Sequence, residues 1–159
     1  MKFSHFHNIK TPCLIPRVSI FPNHQPQRSM YTLSKSERLC SQILMGELLA
    51  SGLSFIKYPF RIVYKISSQP GDYPARIAIS VSKKKFKRAV KRNRVKRLVR
   101  ENFRLHKEIL YASMPSACTI DILFIYLDDK LPAFSKVEKA ITASLQKIAN
   151  DLSSPTKTE

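Results

Sequence analysis

From residue 75 to residue 114 the chain runs forty residues without a proline or a glycine. Nothing there breaks a helix or forces a turn, so the spacing of apolar residues decides the local structure. The first part alternates. Ile77, Ile79 and Val81 share one side, Ala78, Ser80 and Ser82 the other, which predicts a strand over 76–82 with small polar residues on a face open as a cleft. The second part changes period. At 100° per residue Val95, Leu98, Val99, Asn102, His106, Ile109 and Leu110 fall on one arc. Lys96, Arg97, Arg100, Arg104 and Lys107 fall opposite, with Asn93 and Arg94 leading in. That spacing predicts a long helix over about 88–112 with one apolar and one cationic face.

The cationic face dominates the charge of the whole chain. Residues 83–107 hold thirteen basic residues and one acidic residue, Glu101, and so carry +12 of the net +17; residues 108–159 hold five basic and seven acidic. Arg92, Lys96, Arg100 and Arg104 stack at i,i+4, where like charges repel by a few tenths of a kcal/mol per pair (~0.2–0.5). A polyanion offsets that repulsion, and a localised basic footprint is the first sign of a nucleic-acid binder. A membrane surface fits less well, because the apolar arc is the narrow kind that packs on a sheet and the chain has no Trp. Arginine predominates, and its planar fork suits bidentate phosphate contact. Asn93, a poor helix former within this run, reads either as a solvent-facing side chain or as a contact to a base edge or a 2′-hydroxyl.

The rest of the chain supplies a fold around this helix. Residues 1–29 contain Pro12, Pro16, Pro22 and Pro26 and no acidic residue. They read as a disordered basic extension, with Met30 as an alternative start. Ser34 and Glu37 are spaced as a capping box opening a first helix over about 35–50, which Gly52 ends and in which Gly46 costs about 1 kcal/mol. Two strands follow, near 53–57 and 60–67, divided by Pro59, and Gln69–Asp72 has turn chemistry. Residues 119–127 are apolar on both faces, the pattern of a buried strand. Ser135 and Glu138 are spaced as a second capping box, opening a helix whose core stripe is Val137, Ile141, Leu145, Ile148 and Leu152; residues 153–159 read as a polar tail. The order α-β-β-β-α-β-α is one α+β domain over 30–152, a four-stranded sheet carrying three helices.

Several chemistries are excluded at this stage. Three glycines form no phosphate-cradling loop, and no window reaches the ~18 apolar residues of a membrane span. Cys13, Cys40 and Cys118 are odd in number and widely spaced, which fits a reducing cytoplasm and neither a disulfide framework nor a zinc site. His5 and His7 have no nearby carboxylate or thiol to complete a ligand set. Asp121, Asp128 and Asp129 lie in or just after a strand, away in pattern from the basic helix, so no catalytic residue and no protein-bound metal is expected.

The run Val81-Ser82-Lys83-Lys84, followed by Ala89-Val90-Lys91-Arg92-Asn93-Arg94-Val95-Lys96-Arg97-Leu98-Val99-Arg100-Glu101-Asn102-Phe103-Arg104, resembles the signature of the bacterial ribonuclease P protein subunit family. The resemblance covers about 31–152. It implies a fold like a domain of a small-subunit ribosomal protein, with a left-handed βαβ crossover that departs from the usual ~98% right-handed rule. It implies as partners a catalytic RNA, with Mg²⁺ at the RNA active site, and precursor tRNA, whose 5′ leader is removed; one protein serves each RNA. On this resemblance the RNA-binding residues are Lys83, Lys84, Arg88, Arg92, Asn93, Arg94, Lys96, Arg97, Arg100 and Arg104. The cleft for the single-stranded leader is expected at Tyr64 and Ser80, with Phe60 and Tyr58 at its edge. Leu39 and Ile43 stand where many members carry helix 1 aromatics. The alternative is a ribosomal or RNA-assembly protein of similar fold with no part in cleavage.

Overall fold

The computed structural model describes residues 32–67, 73–114 and 118–153. The basic extension over 1–29, the turn Gln69–Asp72 and tail residues 154–159 lie outside them. The strands are β1 (Leu53–Lys57), β2 (Phe60–Ser67), β3 (Ala75–Val81) and β4 (Thr119–Tyr126). The helices are α1 (Gln42–Ser51), α2 (Ala89–Tyr111) and α3 (Phe134–Ser153). One sheet has the order β1-β2-β4-β3. β1–β2 and β2–β4 pair antiparallel and β3–β4 pair parallel, so β3-α2-β4 is the βαβ unit.

The period-two patterns assign each strand residue to a face. Phe60, Ile62 and Tyr64 lie in register with Tyr126, Phe124 and Ile122, and these with Val81, Ile79 and Ile77. This first face receives Val95, Val99, Phe103 and Leu110 of α2 and Val137, Ile141, Leu145 and Ile148 of α3, all fully buried in one cluster. Each such side chain contributes about 1.5–3 kcal/mol on burial. The second face carries a smaller cluster of Val63, Ala78 and Leu123 beneath Leu48 of α1, closed by Leu39.

Two helix starts differ from the sequence reading. The Ser34–Glu37 capping box forms, with Glu37 Oε2 accepting from Ser34 N–H at 2.6 Å and Ser34 Oγ accepting from Glu37 N–H at 3.3 Å, but no helix follows it. Ile77 N–H donates to Glu37 O and Leu39 N–H donates to Ile77 O, so the edge of β3 takes these backbone groups. The helix begins later, capped by Ser41, whose side chain accepts from Leu44 N–H. α3 begins at Phe134, which places Ser135 inside the first turn, and Glu138 pairs with His106 of α2 at 3.3 Å. Ser153, assigned to the tail, is the last residue of α3.

Candidate nucleic-acid interface

The basic loop before α2 is held by its one aromatic residue. Phe86 is buried and stacks on Tyr126 with ring centres 6.0 Å apart. The Arg92 guanidinium donates to Phe86 O and Lys87 O, both at 2.7 Å. With the loop pinned from inside, Lys83, Lys84, Lys85, Lys87 and Arg88 all point outward and are exposed. Arg92, expected as an RNA contact, thus also fastens the loop. Phe86, which the sequence reading passed over, shows as the lone apolar residue in a lysine run.

Along α2, Asn93, Arg94 and Arg97 are exposed and Lys96 and Arg100 half-buried. No hydrogen bond or ion pair to the side chains of Arg94, Arg97 or Arg100 is formed among the described residues. Arg104 is committed, donating from Nε to Glu101 Oε2 at 3.0 Å and from Nη2 to Oε1 at 2.5 Å. These bonds hold the Glu101 carboxyl below its ordinary value. The arginines border an open cavity of about 760 Å³, whose other walls include Leu33 and Arg38 from the segment before α1, Leu98 and Glu101 of α2 and Phe134 of α3.

Lys107 corrects the sequence reading. It is placed by periodicity on the cationic face, yet it is 7% exposed, at the margin of the apolar arc beside fully buried Phe103. Its ammonium lies 2.6 Å from Glu37 Oε1 and 2.8 Å from Thr32 O, and Tyr111 OH donates to the same carboxylate oxygen at 2.7 Å. Burial alone raises the Glu37 carboxyl; the bonds from Lys107, Tyr111 and Ser34 N–H outweigh it and hold the group below its ordinary 4.5. The cation thus locks the N-terminal segment to α2 and does not face a ligand.

The expected leader cleft is not one surface. Ser80 pairs with Ile125, which pairs in turn with Arg61 on the second face, whereas Phe60 and Tyr64 belong to the first face and its core. Phe60 is fully buried, 5.4 Å from the Tyr126 ring. Tyr64 is 4% exposed and donates to Asp151 Oδ2 at 2.9 Å; burial and that bond push its hydroxyl up to about 12. Tyr64 shares a face with Ile77 through Ile122, and Ser80 lies three residues from Ile77, an odd step that turns its side chain to the opposite face. Tyr58 is exposed but tied to the α3 side: its hydroxyl donates to Asp128 Oδ2 at 2.6 Å, and the Lys136 ammonium sits 4.6 Å from its ring centre. The open strip of the second face is one cross-strand row, Ile56, Arg61, Ile125 and Ser80, with the Arg61 guanidinium donating to Ser54 Oγ at 3.3 Å. Leu39 is buried below α1, while Ile43 stands 76% exposed on it.

Among the described residues, no group of three His, Cys, Asp or Glu side chains gathers as a metal-binding set. Asp121 is occupied by a bidentate pair with Arg76, at 2.7 and 2.9 Å. No helix is long and apolar enough to cross a membrane among the described residues.

The chain is similar in sequence and in fold to known proteins. The ribonuclease P protein component of Porphyromonas gingivalis is 42% identical over 125 residues, 78% of this chain and 91% of its own length. That of Syntrophus aciditrophicus is 45% identical over 83 residues, 52% of this chain and 66% of its own. The solved ribonuclease P protein of Staphylococcus aureus superposes with a TM-score of 0.55 at 26% identity, covering 72% of this chain and 96% of that one. That of Thermotoga maritima has the same fold, with a TM-score of 0.56 at 24% identity, covering 69% of this chain and 96% of that one. The family model described as ribonuclease P matches residues 33–149, and the chain belongs to that family.

Proposed function

We propose that the chain is the protein subunit of a ribonuclease P ribonucleoprotein in the cytoplasm, one copy to each catalytic RNA. The observation that carries this reading is the uncommitted cationic side of α2: Arg94, Arg97 and Arg100, continued by the outward lysines 83–85. These groups neutralise phosphates of the RNA, while Asn93 has the paired donor and acceptor that suit a base edge or a 2′-hydroxyl. The 5′ leader of precursor tRNA lies on the second face, along the row of Ile56, Arg61, Ile125 and Ser80, the last of which precedes the exposed Lys83 by three residues. Tyr58, Phe60 and Tyr64 take no part, since other groups of the protein already occupy them. Bond cleavage belongs to the RNA and its Mg²⁺; the protein supplies charge neutralisation and affinity for the precursor.

The test combines the full chain with its transcribed cognate RNA and precursor tRNA at low Mg²⁺. The reading requires 5′ maturation to rise strongly with protein and to be nil with protein alone. Binding without any effect on maturation supports the RNA-assembly alternative, and cleavage by protein alone overturns both.

A further inference from the structure

Phe134 is the first residue of α3 and is 41% exposed. It stands outside the main core cluster, in contrast to Phe103 of α2, which is fully buried there. It lines the cavity together with Leu98, Arg94 and Arg97. Glu101, the acidic residue of that lining, is neutralised by its two-pronged pair with Arg104.

Arginines alone make a surface for phosphates. An exposed ring and a leucine between them add an apolar wall, which a phosphate does not use and a base does. A paired duplex hides its base faces in the stack. Folded RNA offers unstacked bases in loops and bulges, and proteins take these on aromatic rings and guanidinium planes. Resting on the reading that α2 binds RNA, we propose that Phe134 and the cavity beside it receive one unpaired base of the partner RNA, the base stacking on the phenyl ring and its phosphate lying against Arg94 and Arg97. The site adds to the helix a contact that depends on a ring, not on charge, and so marks one place on the RNA.

The test compares the full chain with its Phe134→Ala, Phe134→Leu and Phe134→Tyr variants, each titrated with the transcribed cognate RNA at several salt concentrations. Loss of one base–aromatic stack weakens binding by about tenfold or more. Alanine and leucine should both show that loss, with log K falling against log salt in parallel with the unchanged chain, and tyrosine should bind within about twofold of it. Probing of 2′-hydroxyl reactivity should find an unpaired nucleotide that the unchanged protein protects and Phe134→Ala leaves reactive. Full affinity in Phe134→Ala or Phe134→Leu overturns the proposal. If alanine lowers the unfolding midpoint, the leucine and tyrosine variants decide. If Arg97→Ala weakens RNA binding while all three Phe134 variants match the unchanged chain, this inference alone fails. If Arg97→Ala has no effect either, the RNA reading of α2 fails with it.

Discussion

Replacing Lys107 by methionine separates the two uses of positive charge on α2. The side chains of Lys107 and Glu37 are 8% and 1% exposed, so the pair is shielded from solvent. Removing one partner of a buried pair costs about 3–5 kcal/mol, because the other charge is left behind. Here the stranded carboxylate keeps Tyr111 OH and Ser34 N–H as donors, which puts the cost near the low end, about 3 kcal/mol. Against a typical domain stability of about 5–15 kcal/mol, this is a substantial fraction. It lowers the thermal midpoint by about 10 °C in a domain of this size. Urea unfolding should show the shift, while binding of the cognate RNA, measured on the folded variant at low temperature, should keep its salt slope. Arg97→Ala should do the reverse, leaving stability within about 0.5 kcal/mol and reducing the slope by about 0.7–0.9 for one lost phosphate contact. A Lys107→Met protein as stable as the unchanged chain, or one with a shallower salt dependence, refutes the assignment of Lys107 to the interior. The same pair sets an acid limit. Because the folded Glu37 carboxyl lies below its ordinary 4.5, its contribution is complete above that value and is lost as pH falls through the folded one. Glu37→Gln should flatten the acid limb of the stability profile.

Two glycines should respond in opposite directions. A methyl at Gly46, inside α1, meets nothing within 4 Å, so Gly46→Ala should raise stability by about 0.5–1 kcal/mol in urea unfolding. A methyl at Gly52 meets Leu48 O and lies 2.8 Å from Val63 Cγ1, so Gly52→Ala should lower it. When binding of precursor and of mature tRNA to the assembled ribonucleoprotein is compared, Arg61→Ala should reduce the preference for the precursor with RNA assembly intact. Tyr64→Phe should leave that preference unchanged and lower the unfolding midpoint modestly, by the loss of one hydrogen bond worth about 1 kcal/mol.

The strands and the two long helices were legible because each buries a face, and burial imprints its period on the residues. Strand β2 was read as 60–67 and found there, and α2 was read within a residue at each end. The Ser34–Glu37 box was legible as chemistry but misleading as structure, since a hydrogen-bonded turn and a helix start use the same two side chains. What diverted the chain was β3's edge, a partner more than thirty residues away. Lys107 was misread for a related reason. An angle on a helical wheel shows distance from the core, not whether a carboxylate waits at the margin. The cleft failed on parity: Tyr64 and Ser80 each looked suited to a strand face, and only the register between β2, β4 and β3 shows that they look opposite ways. Phe134 carried no signal, because an aromatic at a helix start reads the same whether it is covered or bare.

The order of the sheet bears on how the protein is made. Strand β4 lies between β2 and β3, although it leaves the ribosome after both and after the whole of α2. Until residue 126 has emerged, β3 has only the short backbone bridge around Arg38 to lie against and β2 is paired on one side only. The nascent chain therefore carries its most basic segment before it has a finished platform to hold it, and a product cut short before β4 keeps the β1–β2 hairpin and α2 but lacks the central strand that joins them through β3.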